Sequence, residues 1–183
     1  LMAIARLQLR TLPGIDRPAI VSTVPTKYGD CVMLDLGANL DCTSEHLFQF
    51  AVMGDAFARA VLGHEKPRIG LLNVGSEETK GNDVIRETHE RLKKTDLPLS
   101  FHGYVEGHDI ACGKVDVVVA DGFAGNVALK TAEGVGDLCA HFLKMAFRSS
   151  LLSKIGYLFC RPALTMLFKR LDPRHYNGAM LVG

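Results

Sequence analysis

The chain has 183 residues, of which 48% are apolar and 22% charged, and its formal net charge is +1. These values suit one globular domain with a sizeable core and exclude a disordered chain. The near-neutral charge and the absence of tryptophan leave no whole-chain argument for nucleic acid.

Residues 1–10 read as the end of a helix, broken by the prolines of "PGIDRP". "PAIVSTV" (18–24) and "CVMLDL" (31–36) read as two strands joined by a turn and running antiparallel. "GANLDCTSE" opens a helix with an apolar stripe of Leu47, Phe50, Ala51, Phe57 and Val61. Asp41, Thr43 and Ser44 are its candidate N-caps, and Gly63 can end it. "RIGLLNV" (68–74), "LSFHGYV" (99–105) and "VDVVVA" (115–120) read as further strands. A polar helix is expected around 83–95, a short turn or helix at "HDIACG", and a long helix starting near Asn126. Strands alternating with helices predict an α/β fold, a three-layer αβα sandwich with a mixed sheet. The whole chain is expected to form one domain. Its ends look cut: Leu1 lies inside a helix-like run, and "NGAMLVG" reads as an unfinished strand, so a fragment is expected. No signal peptide pattern is present.

Cysteines stand at 31, 42, 112, 139 and 160, an odd number without CxxC spacing, so reduced thiols are expected rather than disulfides or zinc. The histidines form no HxxxH pair, and His102 and His108 are too loosely spaced to hold a metal. GxGxxG, a Walker A loop and a GxSxG elbow are all absent, and no cofactor is expected.

In an α/β sheet, ligands sit at the carboxyl ends of the strands. "DLGANLD", "NVGSEETKG" and "ADGFAGN" take that position. Gly122 and Gly125 precede the expected helix start, where free N–H groups and the helix dipole favour an anion. Asn126 is either an N-cap or a ligand contact. Lys80 is either a point charge for a phosphate or oxyanion, or a solvated lysine paired with Glu77 or Glu78. Asp35 and Asp41 either orient donors or serve turn and cap chemistry.

"LDLGANLDC" (34–42), "LLNVGSEETKG" (71–81), "ADGFAGNVALKT" (120–131) and "YNGAMLVG" (176–183) together resemble the phosphate acyltransferase family of bacterial phospholipid synthesis. The four motifs stand in the family's order across the whole chain. The resemblance implies transfer of a fatty acyl group from acyl carrier protein to inorganic phosphate, with no cofactor. It also implies a fold like the isocitrate and isopropylmalate dehydrogenases, usually as a homodimer. By motif, the family's catalytic lysine and asparagine fall on Lys80 and Asn126. Asp35, Gly37, Asn39, Asp41, Gly75, Glu77, Asp121, Gly122, Gly125 and Asn177 become candidate substrate- or phosphate-binding residues. Two other readings stay open: a phosphotransacetylase-like enzyme using acyl-coenzyme A, and a non-catalytic scaffold that docks carrier protein.

Residues 138–171 carry six Lys or Arg residues and no Asp or Glu. Leu151, Leu152, Ile155, Leu158, Phe159, Leu164, Leu167 and Phe168 lie among them. No uninterrupted apolar run approaches the roughly 18 residues of a spanning helix, and Pro162 is expected to divide the stretch into two short helices. An amphipathic hairpin over 148–171 could lie on an anionic membrane or pack on the core or a dimer partner. The resemblance implies the membrane. Peripheral association with the inner face, in the cytoplasm, is therefore expected, and the basic face could also attract an acidic carrier protein.

Overall fold

The structure is a computed structural model that describes residues 11–171 and 180–183. The chain divides into two compact units, Leu1–Val127 with Ala179–Gly183, and Ala128–Gly178. The expected helix over 1–10 and the candidate Asn177 lie outside the described residues.

The first unit is built on a mixed six-stranded sheet. Its strands are β1 (Ala19–Thr26), β2 (Gly29–Leu34), β3 (Arg68–Leu72), β4 (Ser100–Val105), β5 (Val117–Val119) and β6 (Met180–Val182). They stand in the order β4-β3-β5-β2-β1-β6. β1 and β2 form the expected antiparallel hairpin, with Val21 opposite Leu34 and Thr26 opposite Gly29. β2, β5, β3 and β4 run parallel, with Leu34 opposite Val119 and Leu71 opposite Val119 on its other side. The "unfinished strand" at the end of the chain pairs antiparallel with β1. β5 sits in the middle of the parallel part, and its three valines are fully buried, as a continuous β-branched run should be.

Among the described residues, three helices lie wholly in this unit: α1 (Ser44–Leu62), α2 (Asp83–Lys94) and α3 (Gly107–Cys112). Thr43 is the cap chosen from the three candidates for α1. Its hydroxyl accepts from His46 N, while His46 Nδ1 accepts from Thr43 N, a capping box with histidine in the usual Glu/Gln place. Gly63 closes α1 in the left-handed region at φ 72°. Leu47, Phe50, Ala51 and Phe57 are buried in the core, whereas Val61 of the expected stripe is exposed and Leu62 beside it packs against the core instead. Gly54 permits the close approach: a Cβ there would stand 2.6 Å from Val117 Cγ1.

α4 (Gly122–Arg148) begins in the first unit and continues into the second, which also holds α5 (Leu151–Leu171). Two sequence expectations are corrected here. α4 starts four residues before Asn126, because Asp121 caps it: Asp121 Oδ1 accepts from Ala124 N at 2.7 Å. Pro162 does not divide α5, which runs through it as one helix. Proline removes one amide donor but its fixed φ is itself helical, and strong helix formers flank it. As a result, Leu151–Arg170 is long and apolar enough to cross a membrane by length and composition, with mean hydropathy 1.2.

Candidate active site

The three loops singled out in the sequence emerge from the carboxyl ends of β2, β3 and β5, which are neighbours in the order β3-β5-β2. Two of them are welded together. Ala120 N donates to Leu34 O at 2.7 Å and Asp35 N to Ala120 O at 2.9 Å, continuing the β2–β5 pairing past the strand ends. Gly122 N then donates to Asn39 O at 2.8 Å. A Cβ on Gly122 would stand 2.7 Å from that same oxygen, and one on Gly125 would overlap the carbonyl oxygen of Asp35. Both glycines lie in the first turn of α4, and the backbone they admit is that of the 35–39 loop.

Asp35 organises this junction from inside. Its side chain is fully buried, and its two oxygens accept four hydrogen bonds. Oδ1 accepts from Ile20 N at 2.8 Å and Ala38 N at 3.1 Å. Oδ2 accepts from Asn39 N at 2.6 Å and Asn39 Nδ2 at 3.0 Å. Asn39 Nδ2 also donates to Pro18 O at 2.9 Å. Asp35 and Asn39, candidates for ligand binding, are therefore occupied by each other and by the backbone. Asp41 is exposed, and its carbonyl accepts from the Arg17 guanidinium at 3.5 Å.

The donors at the start of α4 are partly used as well. Gly122 N serves Asn39 O and Ala124 N serves Asp121 Oδ1. Among the described residues, only Phe123 N of that turn lacks an acceptor, so the anion site expected from a fully open helix start is reduced to a single backbone donor. Asn126, freed from the capping role, is exposed, and its side-chain amide has no hydrogen-bond partner among the described residues. Its side chain lies over Gly37, at φ 124°, where a Cβ would stand 3.6 Å from Asn126 Cγ. Gly37 thus leaves the amide uncovered.

The loop after β3 forms a second cluster. Glu78 pairs with Lys93 at 2.7 Å rather than with Lys80. Lys80 is exposed and makes no ion pair among the described residues, so the alternative of a lysine paired with Glu77 or Glu78 is not what the structure shows. Glu77 and the Lys80 stem both fold over Gly75, where a Cβ would meet Glu77 Oε2 at 2.7 Å and Lys80 Cγ at 3.0 Å. The base of the loop is held by Asn73, which the motif reading missed although an amide directly after an apolar strand run marked it. Its Oδ1 accepts from Val74 N at 2.9 Å and its Nδ2 donates to Lys80 O at 3.3 Å.

Cys42, beside the first loop, offers no thiolate near neutral pH. Burial and the Asp35 and Asp121 charges push its thiol up to about 11, against a hydrogen bond from the Gly122 backbone. Cys31 is pushed up to about 12, chiefly by burial. Among the described residues, no three His, Cys, Asp or Glu side chains gather to hold a metal. In the second unit, Leu151, Leu152, Ile155, Leu158, Phe159 and Leu167 are exposed, and Leu164 and Phe168 are half-buried.

The fold resembles two solved phosphotransacetylases. The EutD phosphotransacetylase of Staphylococcus aureus matches 73% of this chain and 46% of its own, with TM-score 0.57 and 18% identity. A phosphotransacetylase from Streptococcus pyogenes matches 69% and 44%, with TM-score 0.56 and 23% identity. Much higher identity links the chain to proteins named phosphate acyltransferase. It is 60% identical to that of Paramagnetospirillum magneticum, 59% to that of Rhodospirillum centenum and 58% to that of Granulibacter bethesdensis, over 183 residues each. The chain spans about half the length of these curated relatives, 52%, 52% and 50% respectively. The family model described as fatty acid synthesis protein matches residues 1–183, and the chain belongs to that family.

Proposed function

We propose that the whole protein is a phosphate acyltransferase that moves a fatty acyl group from acyl carrier protein to inorganic phosphate, releasing acyl phosphate for phospholipid synthesis. The observation that carries this reading is a pair of polar side chains without a partner among the described residues, the Lys80 ammonium and the Asn126 amide, in the segments that follow the adjacent strands β3 and β5. Phosphate is itself the nucleophile, so no activated serine or cysteine is required, in keeping with the raised Cys42 thiol. A phosphate oxygen attacks the thioester carbonyl, the resulting oxyanion collapses, the C–S bond breaks and the carrier thiol leaves. Lys80 offsets the charge of phosphate or oxyanion, and Asn126 donates to the thioester carbonyl oxygen. Gly37 lies beneath the Asn126 amide, and Gly75 lies beneath Glu77 and the Lys80 stem.

The fold is proposed to be the one shared with isocitrate and isopropylmalate dehydrogenases, and the active form a homodimer. α4 and α5 are proposed to make a helical hairpin that lies on the inner face of the membrane, where the product is consumed. The ring contact of Phe147 with Tyr157, 5.5 Å between centroids, supports a fold-back at Ser149 and Ser150.

The test is acyl phosphate formation by the full-length protein, with the product trapped by hydroxylamine. Phosphate-dependent product is expected from acyl–carrier protein, and Lys80→Ala or Asn126→Ala should each lower the rate by about 10²–10³-fold. Product from acyl-coenzyme A alone would replace the donor in this reading. Binding of carrier protein without turnover would replace the enzyme with a scaffold.

A further inference from the structure

The loop that carries Lys80 has little to place it. Val74 is 82% exposed, and Ser76, Glu77, Glu78, Thr79 and Lys80 are all exposed, so no apolar side chain of the loop anchors it in the core. Beside the surface ion pair of Glu78 with Lys93, one side chain joins the start of the loop to its end. Asn73 is 9% exposed, and its own N–H donates to Val105 O at 2.9 Å, so it is still part of the β3–β4 ladder. From that fixed point its Oδ1 accepts from Val74 N, at the start of the loop, and its Nδ2 donates to Lys80 O, at the end. Lys80 N donates to Glu77 O at 3.0 Å, so the lysine backbone is held on both sides. Gly81 completes the fit: at φ 87°, a Cβ there would stand 2.5 Å from Asn73 Oδ1. The next residue, Asn82, caps α2 through Ile85 N at 2.9 Å, so the helix start has its own support.

We propose that Asn73 is a positioning residue for Lys80, a clasp that sets where the ammonium meets phosphate. The proposal rests on the reading of Lys80 given above. Asparagine suits the task because one short side chain supplies an acceptor for the Val74 amide and a donor for the Lys80 carbonyl. Aspartate keeps the acceptor and loses the donor. Alanine loses both, leaving the Val74 amide and the Lys80 carbonyl without this partner. Releasing the clasp should therefore displace the lysine while β3 and α2 stay in place, and a displacement of about 1 Å can cost up to 10²-fold in rate.

The experiment is a double-mutant cycle in the full-length protein, measuring acyl phosphate formation against phosphate concentration. Asn73→Ala is expected to raise KM for phosphate and lower kcat/KM by about 10–100-fold, leaving KM for the acyl donor unchanged. Simple destabilisation would lower the amount of active enzyme without moving either KM. Asn73→Asp, of the same shape but without the donor to the Lys80 carbonyl, is also expected to raise KM for phosphate, and it carries the test if the alanine variant folds poorly. Combining either substitution with Lys80→Ala should cost no more than Lys80→Ala alone. Losses that multiply, or a normal phosphate KM in Asn73→Asp, would overturn the clasp. An unaffected Lys80→Ala would instead overturn the reading of Lys80 on which the clasp depends.

Discussion

Asp35 shows how a residue's place and its task can separate. Its motif marks the mouth of the sheet, yet its carboxylate is fully buried and accepts four hydrogen bonds from three residues. Replacing it by asparagine keeps the shape but turns one acceptor into an NH₂ group facing donors. Hydrogen bonds to a charged group contribute about 1.5–3 kcal/mol each, so Asp35→Asn should destabilise by about 2–4 kcal/mol. Chemical denaturation of the variant is the measurement, and an unchanged midpoint would show that the carboxylate is not the clamp described. The location of Asp35, Asn39, Gly122 and Gly125 was legible in the sequence, because Gly, Asn and Asp cluster after apolar runs. Their roles were not, because each is set by a partner far along the chain, as when Gly122 meets Asn39 and Gly125 meets Asp35. Asn126 illustrates the reverse: losing the cap to Asp121 is what leaves its amide free.

At the scale of elements, two helix starts give opposing tests of local rules. Gly125 lies inside α4, where alanine would ordinarily be favoured by about 1 kcal/mol. Here a Cβ overlaps the Asp35 carbonyl, a backbone atom that cannot swing aside, and overpacking costs about 1–3 kcal/mol or more. Gly125→Ala should therefore lower Tm, whereas the same change at Gly134, with open space around it, should not. The start of α1 depends on pH instead. His46 Nδ1 must be unprotonated to accept from Thr43 N. Burial first, then the charge of Arg17, lowers the His46 pKa from its ordinary value, against Asp16 and Glu45. A histidine whose folded pKa is depressed contributes stability that is complete above the unfolded value of about 6.5 and is lost as pH falls through the folded one. Protection of the first-turn amides of α1 against exchange, relative to their intrinsic rate at each pH, should fall in mild acid. His46→Gln, an acceptor at every pH, should abolish that dependence; if acid still loosens the turn in this variant, the capping box is not its cause. The sequence offered three caps for α1, and the reciprocal hydrogen bonds of Thr43 with His46 mark which one is used.

At the scale of the molecule, the strands and helices of the first unit were readable because their apolar periods are strong, while the long second helix was not, because Pro162 looked like a stop. That helix makes the last prediction. At 100° per residue, Leu151, Leu152, Ile155, Leu158, Phe159 and Met166 fall within an arc of about 120°, and all six are exposed. Lys154 and Arg161 both lie along one edge of the arc, beyond Leu158. If α5 spanned a bilayer, Arg161 would sit near its centre, at a cost of about 2.5–3.5 kcal/mol. Lying in the interface instead buries the arc and keeps both cations among anionic headgroups. The full-length protein should therefore bind vesicles containing anionic lipid, more weakly as salt rises, because exposed charges are screened within about 10 Å at 0.1 M salt. Phe159→Glu should reduce that binding, since it places a carboxylate in the middle of the buried arc. Soluble acyl phosphate formation should be unchanged in this variant, because Phe159 lies outside the unit that holds Lys80 and Asn126. Vesicle binding that survives the substitution would move the membrane contact off this face. Binding that resists both salt and alkaline extraction would mean that the helix crosses the bilayer, Arg161 included.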